Sequence, residues 1–222
     1  IGSPVISYNG NLTINTRPSY NNYHRMNSRE RVQFSRQLIE SNMNFGRVPI
    51  GETYEAAYEE LMSKQISQAE FEQKVEKLQT RNTDWFDLLF RSDVTHTHSL
   101  NVSGGSEAVR YYVSAGYSNI EGAARGSDSE KLSTLAKVDV EYNKYVSFTA
   151  KIDYTTTSNS GYSSVVNPFD YAYSTTRTMP AYNEDGSYYM SYRAAGATNR
   201  DYIGYNVLKE LDNTGKSSKM DD

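Results

Sequence analysis

Cysteine is absent from the chain of 222 residues, so disulfides, thiolate metal sites and cysteine nucleophiles are excluded. Long apolar runs are also absent, which excludes helices that span a bilayer. Membrane β-strands need an apolar residue only at every second position, so a mean hydropathy of −0.73 leaves a β-barrel open. The formal net charge is only −4, and Lys and Arg are scattered. Composition therefore gives no support for a nucleic-acid partner.

Tyrosine is the residue in excess, with 20 Tyr against seven Phe and one Trp. A phenol ring has one apolar end and one polar end, which suits interfaces, the aromatic girdles of membrane proteins and surfaces that stack on sugars. The chain begins at Ile1, with neither an initiator methionine nor a signal peptide. We therefore expect a processed or truncated product.

The most regular pattern covers residues 97–122, THSLNVSGGSEAVRYYVSAGYSNIEG, and predicts two alternating strands around a tight turn at 104–107. One face of this hairpin is small and polar. The other face is apolar and carries Leu100, Val102, Val109, Tyr111, Val113, Ala115 and Tyr117. The second arm, 109–119, has about the 9–11 residues of a transmembrane strand. The hairpin fits either a half-buried soluble sheet or the wall of a membrane barrel.

Three further alternating stretches predict strands over 5–15, 131–143 and 146–155. The last two must be joined by an odd number of residues, such as 143–145, if their apolar faces are to match. Their polar face is charged, which suits a water-filled lumen, and their apolar face suits lipid. The charged positions are Lys137, Asp139, Glu141, Lys151 and Asp153.

Residues 17–92 predict a helical insertion between strands. Asn27 with Glu30, and Ser67 with Glu70, have the spacing of a capping box and mark two helix starts. A further helix is predicted over 52–63, and TDWFDLLF (83–90) is predicted to be a short packing segment. The acidic outer faces of these helices indicate that the insertion is exposed to water.

Alternation alone does not distinguish a barrel from a soluble sandwich, but the lengths of the connections do favour a barrel. The turns at 104–107 and 143–145 are tight, whereas the other strand ends lead into the insertion, the 122–128 loop and everything after Ser158. This asymmetry is typical of outer-membrane barrels. The predicted fold is mainly β, an antiparallel barrel-wall fragment of about five strands. An α-helical loop insertion and a long irregular C-terminal loop accompany it.

The C-terminal part, 159–222, shows no pattern of a long strand. Asp185-Gly186 marks a hairpin-type turn between short tyrosine-rich arms. Residues 206–211 predict a short helical turn, and 212–222 predict a polar, disordered tail.

Two groups of polar side chains could form a metal site or an acid–base pair, and the sequence favours neither. His96 and His98 share one face of a strand, but two ligands without a third do not make a metal site. The charges of 137–153 mix carboxylates with lysines on a wet face, which indicates charge compensation rather than an acid–base pair. We therefore predict a protein that is not an enzyme, with no metal and no cofactor.

The tyrosine-rich C-terminal loop supplies the candidate contacts for a ligand or partner. Phenol rings beside amide and carboxylate groups suit contact with sugars or peptides. The alternative is that these residues pack the loop against its neighbours or against a lid subunit. The candidates are Tyr171, Tyr173, Tyr182, Asn183, Asp185, Tyr188, Tyr189 and Tyr192.

Four segments together resemble the SusC/RagA branch of TonB-dependent outer-membrane transporters: PVISYNGNLTIN, TDWFDLLF, NVSGGSEAVRYYVSAGYSNIEG and NPFDYAYSTTRTMPAYNEDGSYY. In that family a TonB box and a plug domain precede a barrel of about 22 strands. The chain resembles the segment directly after the plug. Residues 1–16 would then be the first barrel strand and 17–92 a helical external loop. Residues 93–158 would form two hairpins of the wall, and 159–222 a long external loop with a polar tail.

The resemblance also implies the activity and the partners of the parent protein. It implies uptake of oligosaccharides, or of peptides, across the outer membrane, energised by the TonB system. The barrel would contact outer-membrane lipid, and a SusD-like lipoprotein would form a lid over the external loops. About five strands cannot close a barrel, which needs at least about 8. We therefore expect the isolated chain not to transport, and to self-associate or be partly disordered.

Two other classes are compatible with parts of the pattern. A soluble all-β carbohydrate-binding module with a helical insertion would be an ordered monomer with affinity for sugars. A structural or adhesive surface protein would require internal repeats, and none is visible in the sequence.

Overall fold

The computed structural model describes residues 2–43, 51–162, 166–194, 202–213 and 216–221. Six strands form one antiparallel sheet in the order β1-β2-β3-β4-β5-β8, and β6 and β7 form a separate pair. The strands are β1 (Gly2–Asn15), β2 (Asp93–Gly105), β3 (Val109–Glu121), β4 (Asp128–Asn143), β5 (Val146–Gly161), β6 (Ser191–Ala194), β7 (Tyr202–Tyr205) and β8 (Lys216–Asp221).

The helices lie between β1 and β2 and between β5 and β8. They are α1 (Ser28–Glu40), α2 (Tyr54–Met62), α3 (Gln68–Thr80), α4 (Trp85–Leu89), α5 (Pro168–Ser174) and α6 (Val207–Asn213), with a 3₁₀ turn at Tyr20–Asn22. Within the described ranges, no helix combines the length and the apolar character that crossing a membrane requires.

The chain divides into two compact units. Unit 1 is the six-stranded sheet and comprises Ile1–Arg17, Arg91–Ser163 and Gly215–Asp222. Unit 2 contains the helices and comprises Pro18–Phe90 and Ser164–Thr214. Among the described residues, every buried hydrophobic side chain belongs to unit 2. The sheet therefore has no hydrophobic core of its own in this part of the chain.

The hairpin of β2 and β3 has the predicted register. Val102 lies opposite Val113, and Leu100 lies opposite Ala115, so the apolar residues of both arms share a face. The turn depends on Gly105, whose φ of +139° is accessible mainly to glycine. A Cβ atom there would also lie 2.0 Å from the carbonyl oxygen of Val109.

The hairpin of β4 and β5 matches its apolar faces by means of a bulge. Val140 lies opposite Phe148, and the register then shifts between Glu141 and Asn143. The bulge adds the odd residue that the pattern required for the two apolar faces to coincide. The side chain of Asn143 closes the turn by accepting hydrogen bonds from the amides of Tyr145 and Val146.

The three predicted helices of the insertion are present, and the capping boxes begin two of them. The Asn27 side chain accepts from the amide of Glu30, and the Glu30 carboxylate accepts from the amide of Asn27. Ser67 and Glu70 make the same reciprocal pair at the start of α3. These contacts satisfy amides that the first helical turn leaves without partners.

The core of unit 2 has two parts. One lies among α1, α2 and α3 and contains Val32, Tyr54, Ala57, Phe71, Val75 and Leu78. The other contains Trp85, Phe86 and Leu89 of α4, each fully buried, and the predicted packing role of 83–90 is therefore confirmed. The Phe86 ring contacts Tyr20, Tyr23, Phe90 and Phe169 at centroid distances of 4.9 to 5.9 Å.

Ser67→Ala should destabilise α3 by about 0.5–2 kcal/mol, because it removes the acceptor for the amide of Glu70. Ser63→Ala, at the C-terminal end of α2, is the control and should cost less. The Ser67 bonds lower the pKa of Glu70, so their stabilisation is present above the unfolded pKa and is lost as pH falls through the folded one. Thermal unfolding at neutral and acidic pH measures both effects, and equal losses for the two variants would contradict the assignment.

The C-terminal part has more structure than the sequence indicated. Residues 216–221, predicted to be part of a disordered tail, form β8, which pairs with residues 156–161 of β5 and gives the sheet a sixth strand. The predicted short helical turn is the helix α6, and α5 was not predicted. The long loop is therefore less irregular than expected. Its polar composition concealed β8 because this strand pairs at a sheet edge without burying an apolar face.

Candidate functional site

The two faces of the unit 1 sheet differ sharply in polarity. The face that carries the predicted apolar residues is open to the surroundings, with exposed fractions of 38% to 74%. These residues are Ile6, Tyr8, Leu12, Ile14, Leu100, Val113, Leu132, Val138, Phe148, Ile152 and Tyr154. A contiguous apolar surface across five strands is far larger than monomeric soluble proteins expose. Another apolar phase or surface must therefore cover it.

The apolar band is displaced along the strands as it crosses the sheet. In β5 it ends at Tyr154, which lies level with Tyr8 of β1 through the registers of the intervening strands. In β1 the band continues beyond Tyr8 to Leu12 and Ile14. Barrel strands tilt by about 35–45°, so a band parallel to the membrane shifts by roughly one residue per strand. The displacement from β5 to β1 has this size.

The opposite face is mostly polar, although it also carries apolar side chains such as Val5, Tyr112 and Ile120, and several of its charges are paired. Lys137 Nζ lies 2.9 Å from the Asp139 carboxylate, and Lys151 Nζ lies 2.7 Å from that of Asp153. Arg110 pairs with Glu141. The Thr149 hydroxyl donates to the Asp139 carboxylate at 2.7 Å. The pairing agrees with the predicted charge compensation on a wet face.

His96 and His98 lie on the apolar face, with ring centroids 5.3 Å apart. The Tyr8 hydroxyl lies 2.6 Å from Nδ1 of His98. The residues with described placement contain no group of three or more His, Cys, Asp or Glu arranged to hold a metal ion.

The described part of unit 2 contains a cleft of about 670 Å³, here called the tyrosine cleft. Tyrosine rings, carboxylates and two cations line it together. Its lining consists of Glu52, Lys77, Arg81, Pro180, Tyr182, Asn183, Glu184, Asp185 and Tyr189.

One wall of the tyrosine cleft is the predicted hairpin turn. Gly186 has a φ of +82°, and the Asp185 carboxylate accepts from the amide and the hydroxyl of Ser187 at 2.9 and 2.6 Å. These bonds lower the pKa of Asp185. Tyr182 and Tyr188 flank the turn as a β-bridge, with ring centroids 5.6 Å apart. The turn thus presents a phenol ring and a carboxylate side by side.

The opposite wall comes from the end of α3. Lys77 Nζ pairs with the Glu184 carboxylate at 2.8 Å and lowers its pKa. Arg81 Nη1 lies 2.8 Å from both the Glu52 carboxylate and the carbonyl oxygen of Thr178, which fixes its guanidinium. The cleft combines cations and anions with aromatic surface, so it can contact a ligand that carries both hydroxyl and charged groups.

The structure separates the predicted contact residues into different environments. Tyr182, Asn183, Asp185 and Tyr189 line the tyrosine cleft. Tyr188 lies beside it and donates a hydrogen bond to Asp212, which raises the pKa of the phenol.

The remaining three candidates lie elsewhere. Tyr171 is buried, with its ring 5.1 Å from that of Trp85, so packing accounts for it. Tyr173 stacks on Phe169 and lines a second cleft. Tyr192 lies in β6, and its side chain is outside the described residues.

Sequence reasoning missed Glu52, Lys77 and Arg81. In the sequence they lie about a hundred residues before the tyrosine loop, and each has the local pattern of a charge exposed to solvent. The fold brings them to the cleft through the Lys77–Glu184 ion pair and through the bonds of Arg81 to Glu52 and to the Thr178 carbonyl.

No family model matches the chain. Two curated proteins of Formosa agariphila match about half of it. TonB-dependent receptor P26 is 32% identical over 111 residues, which is 48% of this chain and 10% of that protein. TonB-dependent receptor P3 is 28% identical over 115 residues, which is 48% of this chain and 12% of that protein. The matched part of the chain thus spans only about a tenth of the length of these relatives.

Two solved structures have the same fold over nearly the whole chain. The RagAB peptide importer in its closed-closed state matches with a TM-score of 0.58 and 16% identity, over 94% of this chain and 24% of that chain. The RagAB peptide transporter matches with a TM-score of 0.59 and 16% identity, over 95% and 24%. The receptor matches and the shared fold confirm both the predicted resemblance and the predicted fold class.

Proposed function

We propose that this segment of a SusC/RagA-type TonB-dependent transporter forms part of an outer-membrane barrel wall, in a protein that takes up oligosaccharides or peptides. The apolar face of unit 1 faces lipid, and the paired charges of the other face line a water-filled lumen. The observation that carries this proposal is the exposed apolar band on a sheet whose opposite face is charged. In a barrel wall the apolar face contacts lipid and the charged face contacts water, so each face lies in an environment of its own polarity.

The soluble carbohydrate-binding module is the weaker alternative. A soluble sandwich would bury its apolar face against a second sheet, and residues such as Ile6 and Ile152 would then be covered. Instead they are 68% and 74% exposed. The buried hydrophobic residues of the described ranges all belong to unit 2, so the sheet of unit 1 has no hydrophobic core of its own there.

Unit 2 serves in this proposal as the external-loop region that meets the nutrient. The tyrosine cleft offers ring faces for sugar or peptide stacking, and its fixed charges offer hydrogen bonds. A SusD-like lipoprotein would close over the same region, and the TonB system would energise transport. Both partners are expected for the full-length protein.

Fractionation and uptake in cells that produce the full-length protein test this proposal. We expect the protein in the outer-membrane fraction, and uptake of either an oligosaccharide mixture or a peptide mixture that is lost when the TonB system is absent. Recovery as a soluble monomer that binds sugar would contradict the proposal and favour the binding module.

Tyr182→Ala should weaken binding of the transported ligand about tenfold, which corresponds to about 1.4 kcal/mol, because it removes an exposed ring face from the tyrosine cleft. The matched control is Tyr145→Ala, which removes an exposed tyrosine from the β4–β5 turn and should leave affinity unchanged. Fluorescence titration of both variants with the two mixtures measures the difference. Equal affinities for both variants and the wild type would show that the tyrosine cleft does not contribute to ligand binding.

A further inference from the structure

A second cleft of unit 2 has a different chemical character. It has a volume of about 340 Å³, and its polar lining is dominated by cationic side chains. We call it the arginine cleft and define it by Tyr20, His24, Arg25, Arg31, Tyr173 and Arg177. No carboxylate belongs to the lining that the structure describes.

Two of its arginines lie over aromatic rings. The guanidinium carbon of Arg177 is 4.2 Å from the centroid of the Tyr20 ring, and that of Arg25 is 4.5 Å from the centroid of the Tyr173 ring. A planar guanidinium held against a ring loses little freedom on binding, and its Nη donors can still point to a ligand at the ring edge. Both cations are thus positioned before any ligand arrives.

The segment that carries Arg177 is fastened to the start of α4. The Thr83 amide donates to the carbonyl of Arg177 at 3.0 Å, and Arg177 Nε donates to the carbonyl of Thr83 at 3.2 Å. The Thr83 hydroxyl and the Trp85 indole add bonds of 2.7 and 3.2 Å to the carbonyls of Met179 and Thr176. The backbone around Arg177 is therefore rigid.

The charges around the arginine cleft do not cancel. Arg31 is neutralised by the buried Glu55 carboxylate at 2.9 Å. Arg25 and Arg177 have no carboxylate within ion-pair distance among the described residues. Asp84 lies outside the lining. Besides burial, its charge raises the pKa of Tyr20, and its side chain caps α4 by accepting from the amide of Asp87. Two guanidinium groups thus remain unneutralised at the cleft.

Tyr20 contributes a fixed neutral surface rather than a charge. Its hydroxyl donates to the carbonyl of Ala172 at 3.0 Å, and burial raises its pKa to about 12. The phenol therefore stays protonated at physiological pH and does not repel an anion.

We propose that the arginine cleft binds an oxyanion, the carboxylate, sulfate or phosphate group of a ligand, between Arg25 and Arg177. Guanidinium groups bind such oxygens in bidentate fashion, and the aromatic walls reduce the competing water. The site does not rest on the proposed transport function, since an oxyanion can be tested on the protein directly.

Titration calorimetry of the full-length protein with inorganic sulfate, at constant ionic strength set by sodium chloride, tests the site. We expect saturable binding whose Kd rises about tenfold in Arg25→Gln and in Arg177→Gln. Arg29→Gln, an exposed arginine of α1 outside the cleft, is the matched control and should bind like wild type. Absence of saturable binding, or an equal loss in Arg29→Gln, would overturn the proposal.

Two further experiments distinguish the loss of the binding site from a loss of folding and identify the bound group. Arg177→Lys retains the positive charge but loses the bidentate donor geometry, so an intermediate Kd is expected; if Arg177 variants do not fold, the exposed Arg25 carries the test. Glucose 6-sulfate, glucose 6-phosphate and N-acetylglutamate then compete against sulfate. Competition by any of them supports the site and identifies the group, whereas failure of all three overturns it. Loss of uptake with intact sulfate binding would contradict only the transport proposal.

Discussion

Ile152→Lys is expected to destabilise the protein in its membrane by about 2–4 kcal/mol. Ile152 is 74% exposed and lies in the middle of the apolar band, level with Ala136, Val113 and Val102 in the neighbouring strands. A lysine placed on the lipid face near the bilayer midplane costs about this much. Urea unfolding of the full-length protein in lipid vesicles, followed by the gel shift between folded and unfolded barrels, measures the loss.

Leu135→Lys is the matched control for this experiment. Leu135 lies in the neighbouring strand on the opposite face, directly across from Asp153. A lysine there would join paired charges in water, so we expect a change within about 0.5 kcal/mol. If Leu135→Lys were the more damaging change, the assignment of the two faces would be reversed.

Phe86→Ala is expected to destabilise unit 2 by about 3–5 kcal/mol, because it leaves a cavity in a core that cannot collapse easily. Phe86 is fully buried, and four aromatic rings surround it. Hydrogen exchange of α4 and of the segments packed on it should show the loss as faster opening.

Phe34→Ala is the corresponding control, since Phe34 is 41% exposed on α1. It should cost well under half as much, because little apolar surface returns to water. Similar exchange rates in the two variants would show that α4 is not the centre of this core.

Local chemistry explains why so much of the fold was predictable from the sequence. Strict alternation fixed the strands and their faces, because a shift of one residue would reverse every side chain. The capping boxes at Asn27 and Ser67 fixed two helix starts, because their spacing is specific to the first turn. Gly105 allowed the turn between β2 and β3.

Long-range assembly explains what was missed. The strand β8 has no apolar alternation, and only pairing with β5 orders it. The tyrosine cleft joins the end of α3 to a turn about a hundred residues later, and the arginine cleft joins Arg25 to Arg177. No local pattern marks Lys77 or Arg177 as part of a site, because the residues that form the site with them are distant in the sequence and only the fold brings them close.

Cysteine scanning of residues 148–155 in β5 tests the central claim most directly. The chain contains no cysteine, so each introduced thiol is unique within it. In outer membranes containing the full-length protein, a membrane-impermeant maleimide should label residues 149, 151, 153 and 155 and spare 148, 150, 152 and 154. Labelling without this alternation, or preferential labelling of the even positions, would contradict the assignment of one face to lipid and the other to water.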